Sequence, residues 1–179
     1  WARVKHERIG TDSGVGDFRS YNTMYQFGYD YAKPTENGKM IWGGAFDYMD
    51  GRTDYKSIEG DGGTDRTELS LYATYLGDNG FYGDLVIRGG KLNSDFDMVT
   101  PSGTALDADY DNWFYGVSFE TGRQLENGTG WFVEPQVQMQ YLRIASGDYS
   151  TAQTKVEQDA IDSLIGRAGF RVGKFLSED

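Results

Sequence analysis

Cysteine is absent from the 179 residues, proline occurs three times and histidine once. Without cysteine there is no disulfide framework, no thiolate zinc site and no thiol nucleophile. Positive charge is scarce as well: 17 Lys+Arg stand against 28 Asp+Glu, a net charge of −11. The acidic total argues against sequence-independent nucleic-acid binding, which relies on a net basic surface to displace counterions. No apolar run approaches the roughly 18–20 residues of a membrane-spanning helix. No initiating Met and no basic–apolar leader opens the chain at Trp1, so it is expected to be a mature segment with any export signal outside it.

What is abundant points to sheet. There are 25 glycines, and aromatics make up 15% with 13 tyrosines among them, against a mean hydropathy of −0.61. Helical periodicity is nearly missing, while alternation of period two recurs throughout. Trp131, Val133, Pro135, Val137, Met139 and Tyr141 share one side of a strand; Phe132, Glu134, Gln136, Gln138, Gln140 and Leu142 share the other. The same alternation runs through Met40–Tyr48, Glu68–Tyr75, Phe81–Arg88, Trp113–Glu120 and Leu164–Val172, and more weakly through Trp1–Ile9 and Met24–Ala32. Successive strand side chains point to opposite faces, so each segment divides an apolar surface from a polar one. The expectation is one domain over residues 1–179 with about eight antiparallel strands of about 8–14 residues. Ala152–Ile161 is the one stretch that could form a turn of helix, inside a loop.

The connections sort by length. Short links at Pro34–Gly38, Gly77–Gly80 and Glu126–Gly130 alternate with long polar ones at Gly10–Tyr21, Gly51–Asp65, Asn93–Asp111 and Ser146–Asp159. In an up-and-down meander that puts tight turns at one end and long loops at the other, as in outer-membrane barrels. Asn-Gly pairs in or beside the short links suit hairpins.

Alternation alone leaves both orientations open. A soluble ligand-binding barrel turns its apolar face inward, whereas a transmembrane barrel turns it to lipid around a polar lumen. Aromatics near the ends of the apolar faces (Trp42, Tyr48, Trp113, Trp131, Tyr141) fit a lipid-facing girdle. The opposite faces carry Arg3, Lys5, Asp84, Arg88, Glu120, Glu134, Gln136, Gln138, Arg167 and Arg171. These are expected to line a wet lumen, where charges of opposite sign can pair across it. An independent eight-stranded outer-membrane barrel with a structural or adhesion role is the other membrane option; there the last strand would pair with the first.

Three strings carry a resemblance: Leu69–Phe96 (LSLYATYLGDNGFYGDLVIRGGKLNSDF), Asn127–Ile144 (NGTGWFVEPQVQMQYLRI) and Asp162–Gly173 (DSLIGRAGFRVG). Each closely resembles the C-terminal β-domain of autotransporters, the type V secretion proteins of Gram-negative bacteria. Trp1-Ala2-Arg3 and Phe27–Ala32 resemble that domain's first two strands. The resemblance implies an all-β, antiparallel, transmembrane β-barrel, here about eight strands of a twelve-stranded, porin-like design. It also implies an outer-membrane location, a passenger exported to the cell surface, a helix through the lumen, and insertion by the barrel assembly machinery. The last four strands, the lumen helix and the passenger have no counterpart in residues 1–179.

Chemistry is thinly represented. His6 is expected at a barrel surface rather than as a catalytic base. Asp84, Glu120 and Glu134 are expected as paired lumen charges rather than an acid/base pair. The Gly60–Asp65 cluster superficially suggests a calcium loop, but without a repeat it is expected to be a flexible loop. Gly14–Gly16 lacks the strand–helix context of a dinucleotide site. Asn127-Gly128-Thr129 fits a glycosylation sequon but falls in an expected periplasmic turn. No cofactor, metal or catalytic residue is expected.

Overall fold

The computed structural model describes residues 1–11, 17–56, 59–100, 102–150 and 155–175. Its elements are β1 (Ala2–Thr11), β2 (Phe18–Thr35), β3 (Gly38–Tyr55), β4 (Glu59–Gly77), β5 (Phe81–Val99), β6 (Ala105–Arg123), β7 (Leu125–Glu126), β8 (Trp131–Ile144), β9 (Gly147–Ser150), β10 (Lys155–Gln158) and β11 (Ile161–Lys174). Eight long strands form one antiparallel sheet in the order β1-β2-β3-β4-β5-β6-β8-β11, with β7 paired to β8 and β9–β10 a separate two-stranded hairpin. The sheet is a half-barrel. Among the described residues β11 does not pair with β1, so the independent eight-stranded closure is not formed.

The three short links are tight turns at one end, as expected. In the Asp78–Gly80 turn, Gly80 adopts φ +79°, and Gly130 adopts φ +80° in the Asn127–Gly130 turn; both conformations favour a residue without Cβ. Asn127 fixes the second turn, its Oδ1 accepting from Thr129 N at 3.0 Å, Thr129 Oγ1 at 2.8 Å and Trp131 N at 3.0 Å. Pro135 occupies a strand with neighbours on both sides. It has no amide to donate, and the β6–β8 ladder breaks there, pairing Gly122 with Gln136 and resuming only at Leu125 with Val133.

Three expectations need correction. Strands β2 to β6 are 18–19 residues long, so most of the expected long loops at Gly51–Asp65 and Asn93–Asp111 is strand. The Gly60–Asp65 cluster belongs to β4 and is not a flexible loop. Within Ala152–Ile161, residues 152–154 lie outside the described residues, as does Gly14–Gly16. Lys155–Gln158 forms β10, paired with β9, not a helical turn.

Register assigns every side chain to a face. Arg3 stands opposite Gln26, Gln26 opposite Asp47 and Asp47 opposite Glu68. That polar face is concave. The Tyr72 hydroxyl, on β4, accepts from Trp1 Nε1 at 3.3 Å and donates to Asp30 Oδ2, on β2, at 2.8 Å, which curls the sheet around its polar side. Glycine permits the approach: a Cβ on Gly43 would lie 2.2 Å from the Tyr72 ring, and one on Gly28 would lie 2.3 Å from the Trp1 ring.

The convex face carries an apolar band. On β8 it runs from Val133 to Tyr141, close to the roughly 9–11 tilted residues that cross a hydrocarbon core. On β3 it runs from Met40 to Tyr48 and on β6 from Trp113 to Phe119. Beyond the band, at the end away from the tight turns, polarity changes sides. There the convex face holds Asp54, Asp61, Asp95, Asp97, Asp107 and Asp109, while the concave face holds Tyr55, Phe96, Met98, Leu106, Ala108 and Tyr110. Burial, followed by the nearby Tyr110, pushes the Tyr55 hydroxyl above its ordinary pKa. This part of β3–β6 is packed as a soluble sheet is, with its greasy side inward.

Candidate functional site

Among the described residues, the most buried charges line the concave wall. Asp47 is 2% exposed, Glu134 5% and Glu68 8%, whereas Val137 and Leu71 on the convex face are 52% and 69% exposed. Desolvated charges need partners, and these have them. Arg66 Nη2 donates to Asp47 Oδ1 at 2.8 Å and to Met24 Sδ at 3.4 Å. Its Nε lies 3.7 Å from Glu68 Oε2, an ion pair without a hydrogen bond.

A second cluster lies nearer the tight turns. Arg171 Nη2 donates to Glu134 Oε2 at 2.6 Å, and its guanidinium sits 5.8 Å from the Phe132 ring centre. Tyr82 donates to Glu120 Oε1 at 2.9 Å, and Thr74 donates to Asp84. Tyr82, Glu120, Glu134, Gln136 and Arg171 line an open cavity of about 460 Å³. Along the wall, Arg167 donates from Nη1 to Gln138 Oε1 at 2.7 Å.

Register puts all ten residues expected on the polar side on one face. Arg3 stands opposite Gln26, Lys5 opposite Met24, Asp84 opposite Glu120, and Arg88 between Ser70 and Gly116. Glu134, Gln136 and Gln138 stand opposite Arg171, Gly169 and Arg167. Lys5 pairs with Glu7 of its own strand. The five aromatics fall on the other face. Trp113 is 64%, Trp131 50%, Trp42 43% and Tyr48 38% exposed. Tyr141 is less exposed, and its hydroxyl donates to Asp162 Oδ1 at 2.6 Å, beside the Arg143–Asp162 pair. Lys174 Nζ caps Trp131 at 5.8 Å from the ring centre. Where Gly44 and Gly89 lack side chains, Phe27, Tyr29, Phe46, Leu69, Leu71 and Ile87 surround a shallow groove of about 750 Å³.

The Arg66–Asp47–Glu68 cluster was missed as a site, although alternation already placed Asp47 and Glu68 on the polar side. The missing signal was Arg66, which falls between the expected Gly51–Asp65 loop and the expected Glu68–Tyr75 strand. His6 lies on the convex side, its Nδ1 3.1 Å from Thr23 Oγ1 and away from the concave carboxylates. Among the described residues no cluster of His, Asp or Glu could hold a metal ion. The arrangement can hold water and charged chain segments against a neutralised wall.

An antiparallel half-barrel with charge buried on its inside and aromatics exposed on its outside has the polarity of a membrane-barrel wall. The family model of the autotransporter beta-domain matches residues 1–179, and the chain belongs to that family. The pertactin autotransporter of Bordetella parapertussis is 33% identical over 178 residues, covering 97% of this chain and 19% of that protein. The BrkA autotransporter of Bordetella pertussis is 31% identical over 183 residues, covering 99% of this chain and 18% of that protein. The chain thus spans about a fifth of these relatives. The crystal structure of the beta domain of Bordetella BrkA matches with a TM-score of 0.81 at 25% identity, over 99% of this chain and 71% of that one. The translocator domain of NalP from Neisseria meningitidis matches with a TM-score of 0.73 at 13% identity, covering 99% and 62%, a likeness of fold alone.

Proposed function

We propose that this β-domain is the translocator wall of an autotransporter: it anchors an N-terminal passenger in the outer membrane of a Gram-negative bacterium and helps export it to the surface. The observation that carries this reading is the inverted burial, with Asp47, Glu68 and Glu134 enclosed and Leu71, Val137 and Met139 exposed. Water-exposed sheets do the reverse. Membership of the autotransporter beta-domain family supports the same reading.

In this role the convex band contacts outer-membrane lipid, with Trp42, Tyr48, Trp113, Trp131 and Tyr141 near its borders. Arg3, Lys5, Asp84, Arg88, Glu120, Glu134, Gln136, Gln138, Arg167 and Arg171 face the lumen, where they meet the passenger segment and lumen helix. The barrel assembly machinery inserts the domain. The wall itself performs no catalysis. One relative, the serine protease EspC of Escherichia coli, is named for an activity, but this chain covers 14% of it.

The absence of cysteine makes the test clean. Single cysteines are introduced into the full-length protein in outer membranes and probed with a membrane-impermeant maleimide. Gln136→Cys and Gln138→Cys are expected to react, and Val137→Cys and Met139→Cys to be protected until detergent strips the lipid. Reaction at Val137 with protection at Gln138 would overturn the assignment. Protease shaving of intact cells reads passenger display in the same strains.

A further inference from the structure

We infer that the part of β3–β6 beyond the apolar band is a closure governed by ionic strength, hinged where β4 meets β5. On the convex face four aspartates stand in one register row across four strands: Asp54 faces Asp61, Asp61 faces Asp97, and Asp97 faces Asp107. The neighbouring rows add Asp95 opposite Asp109 and Asp50 opposite Asp65. Directly opposed side chains in a ladder have Cβ atoms about 4.5–5.5 Å apart, and like charges there repel.

The concave side pulls the other way, burying Ala108 and half-burying Phe96, Met98 and Leu106. Attraction on one face and repulsion on the other leave the balance to the counterions.

The β4–β5 ladder is where it yields. Chain segments of only three and five residues link β3 to β4 and β5 to β6 at this end, but β4 and β5 are joined only at the far end, near Gly77–Phe81. The β4 side of the ladder reads Gly60-Asp61-Gly62-Gly63, so little side-chain packing reinforces the pairing with Asp95–Met98. Cations help unevenly. Arg52 lies 3.3 Å from Asp54 and 3.6 Å from Asp61, and Lys91 pairs with Asp111. Among the described residues no ion pair reaches Asp97 or Asp107. At low ionic strength the ladder from Glu59–Val99 to Asp65–Asn93 opens and the two hairpins part; counterions close it.

The test is amide hydrogen exchange on the full-length protein in detergent, which reads the ladder independently of passenger export. Raising sodium chloride from about 0.01 M to about 1 M shortens the screening length from about 30 Å to about 3 Å. Exchange in Glu59–Asp65 and Asn93–Val99 is expected to slow by roughly five- to tenfold, with no change in β8 and β11. Asp61→Asn combined with Asp97→Asn is expected to be protected already at low salt. Asp97→Lys, which places opposite charges across the ladder, is expected to reverse the sign, losing protection as salt rises. Salt-independent exchange in the natural protein, or an Asp97→Lys variant that still gains protection with salt, would overturn the inference.

Discussion

A single side chain in this wall is decided by what burial does to charge. Asp47 is 2% exposed and depends on Arg66. Arg66→Ala leaves that carboxylate enclosed without its cation, and losing one partner of a buried pair costs about 3–5 kcal/mol. Asp47→Asn and Glu68→Gln combined with Arg66→Gln remove all three charges of the cluster and are expected to recover most of the loss in urea titrations of the folded domain. Gly43 is decided by space instead. A Cβ there would lie 2.2 Å from the Tyr72 ring, so Gly43→Val must expel the ring and its bonds to Trp1 and Asp30. About 1–3 kcal/mol is expected, as for overpacking elsewhere. Tyr72→Ala in the same background should remove the clash, read as a partial return of the unfolding midpoint. Neither constraint was visible in the one-dimensional pattern. Alternation gives the face on which Asp47 or Gly43 lies, but which ring covers which glycine depends on how strongly the sheet curls.

Elements show where sequence signals are strong and where they cancel. The eight long strands and the three tight turns were legible because one side of each strand is greasy across the whole apolar band. The outer halves of β3–β6 were not. There the apolar side switches from convex to concave, and the glycine- and aspartate-rich stretch around Gly60–Asp65 has the composition of a loop. A strand whose alternation changes phase looks like a strand followed by a polar connection. The Asn127–Gly130 turn was legible, and its worth can be measured. Asn127→Ala removes an acceptor used by three donors. At about 0.5–1.5 kcal/mol per net hydrogen bond, with solvent replacing some of them, a loss of about 1–2 kcal/mol is expected. Refolding into micelles should slow as well, because this turn starts the β6–β8 pairing. An unchanged midpoint and rate would mean that the β8–β11 ladder alone sets this register.

At the scale of the whole molecule, one orientation accounts for the composition. A chain with a mean hydropathy of −0.61 can still cross a membrane, because only one face of a strand meets lipid and the hairpins continue into water. Adjacent residues at mid-band therefore ought to respond oppositely to the same charge. Val137 lies at the middle of the Val133–Tyr141 run and is 52% exposed on the convex face. Gln136 lines the concave cavity with Glu120 and Glu134. An arginine at the bilayer midplane costs about 2–4 kcal/mol on a lipid-facing position. Val137→Arg is expected to lose that much stability in phospholipid vesicles. Gln136→Arg should change little, because the new guanidinium meets water and two carboxylates. The difference should shrink in a short-chain detergent, where water reaches the band more easily. Equal losses at the two positions would mean that β8 is not a boundary between lipid and water. A larger loss at Gln136 would mean that its concave side is the dry one, and the wall would have to be turned inside out.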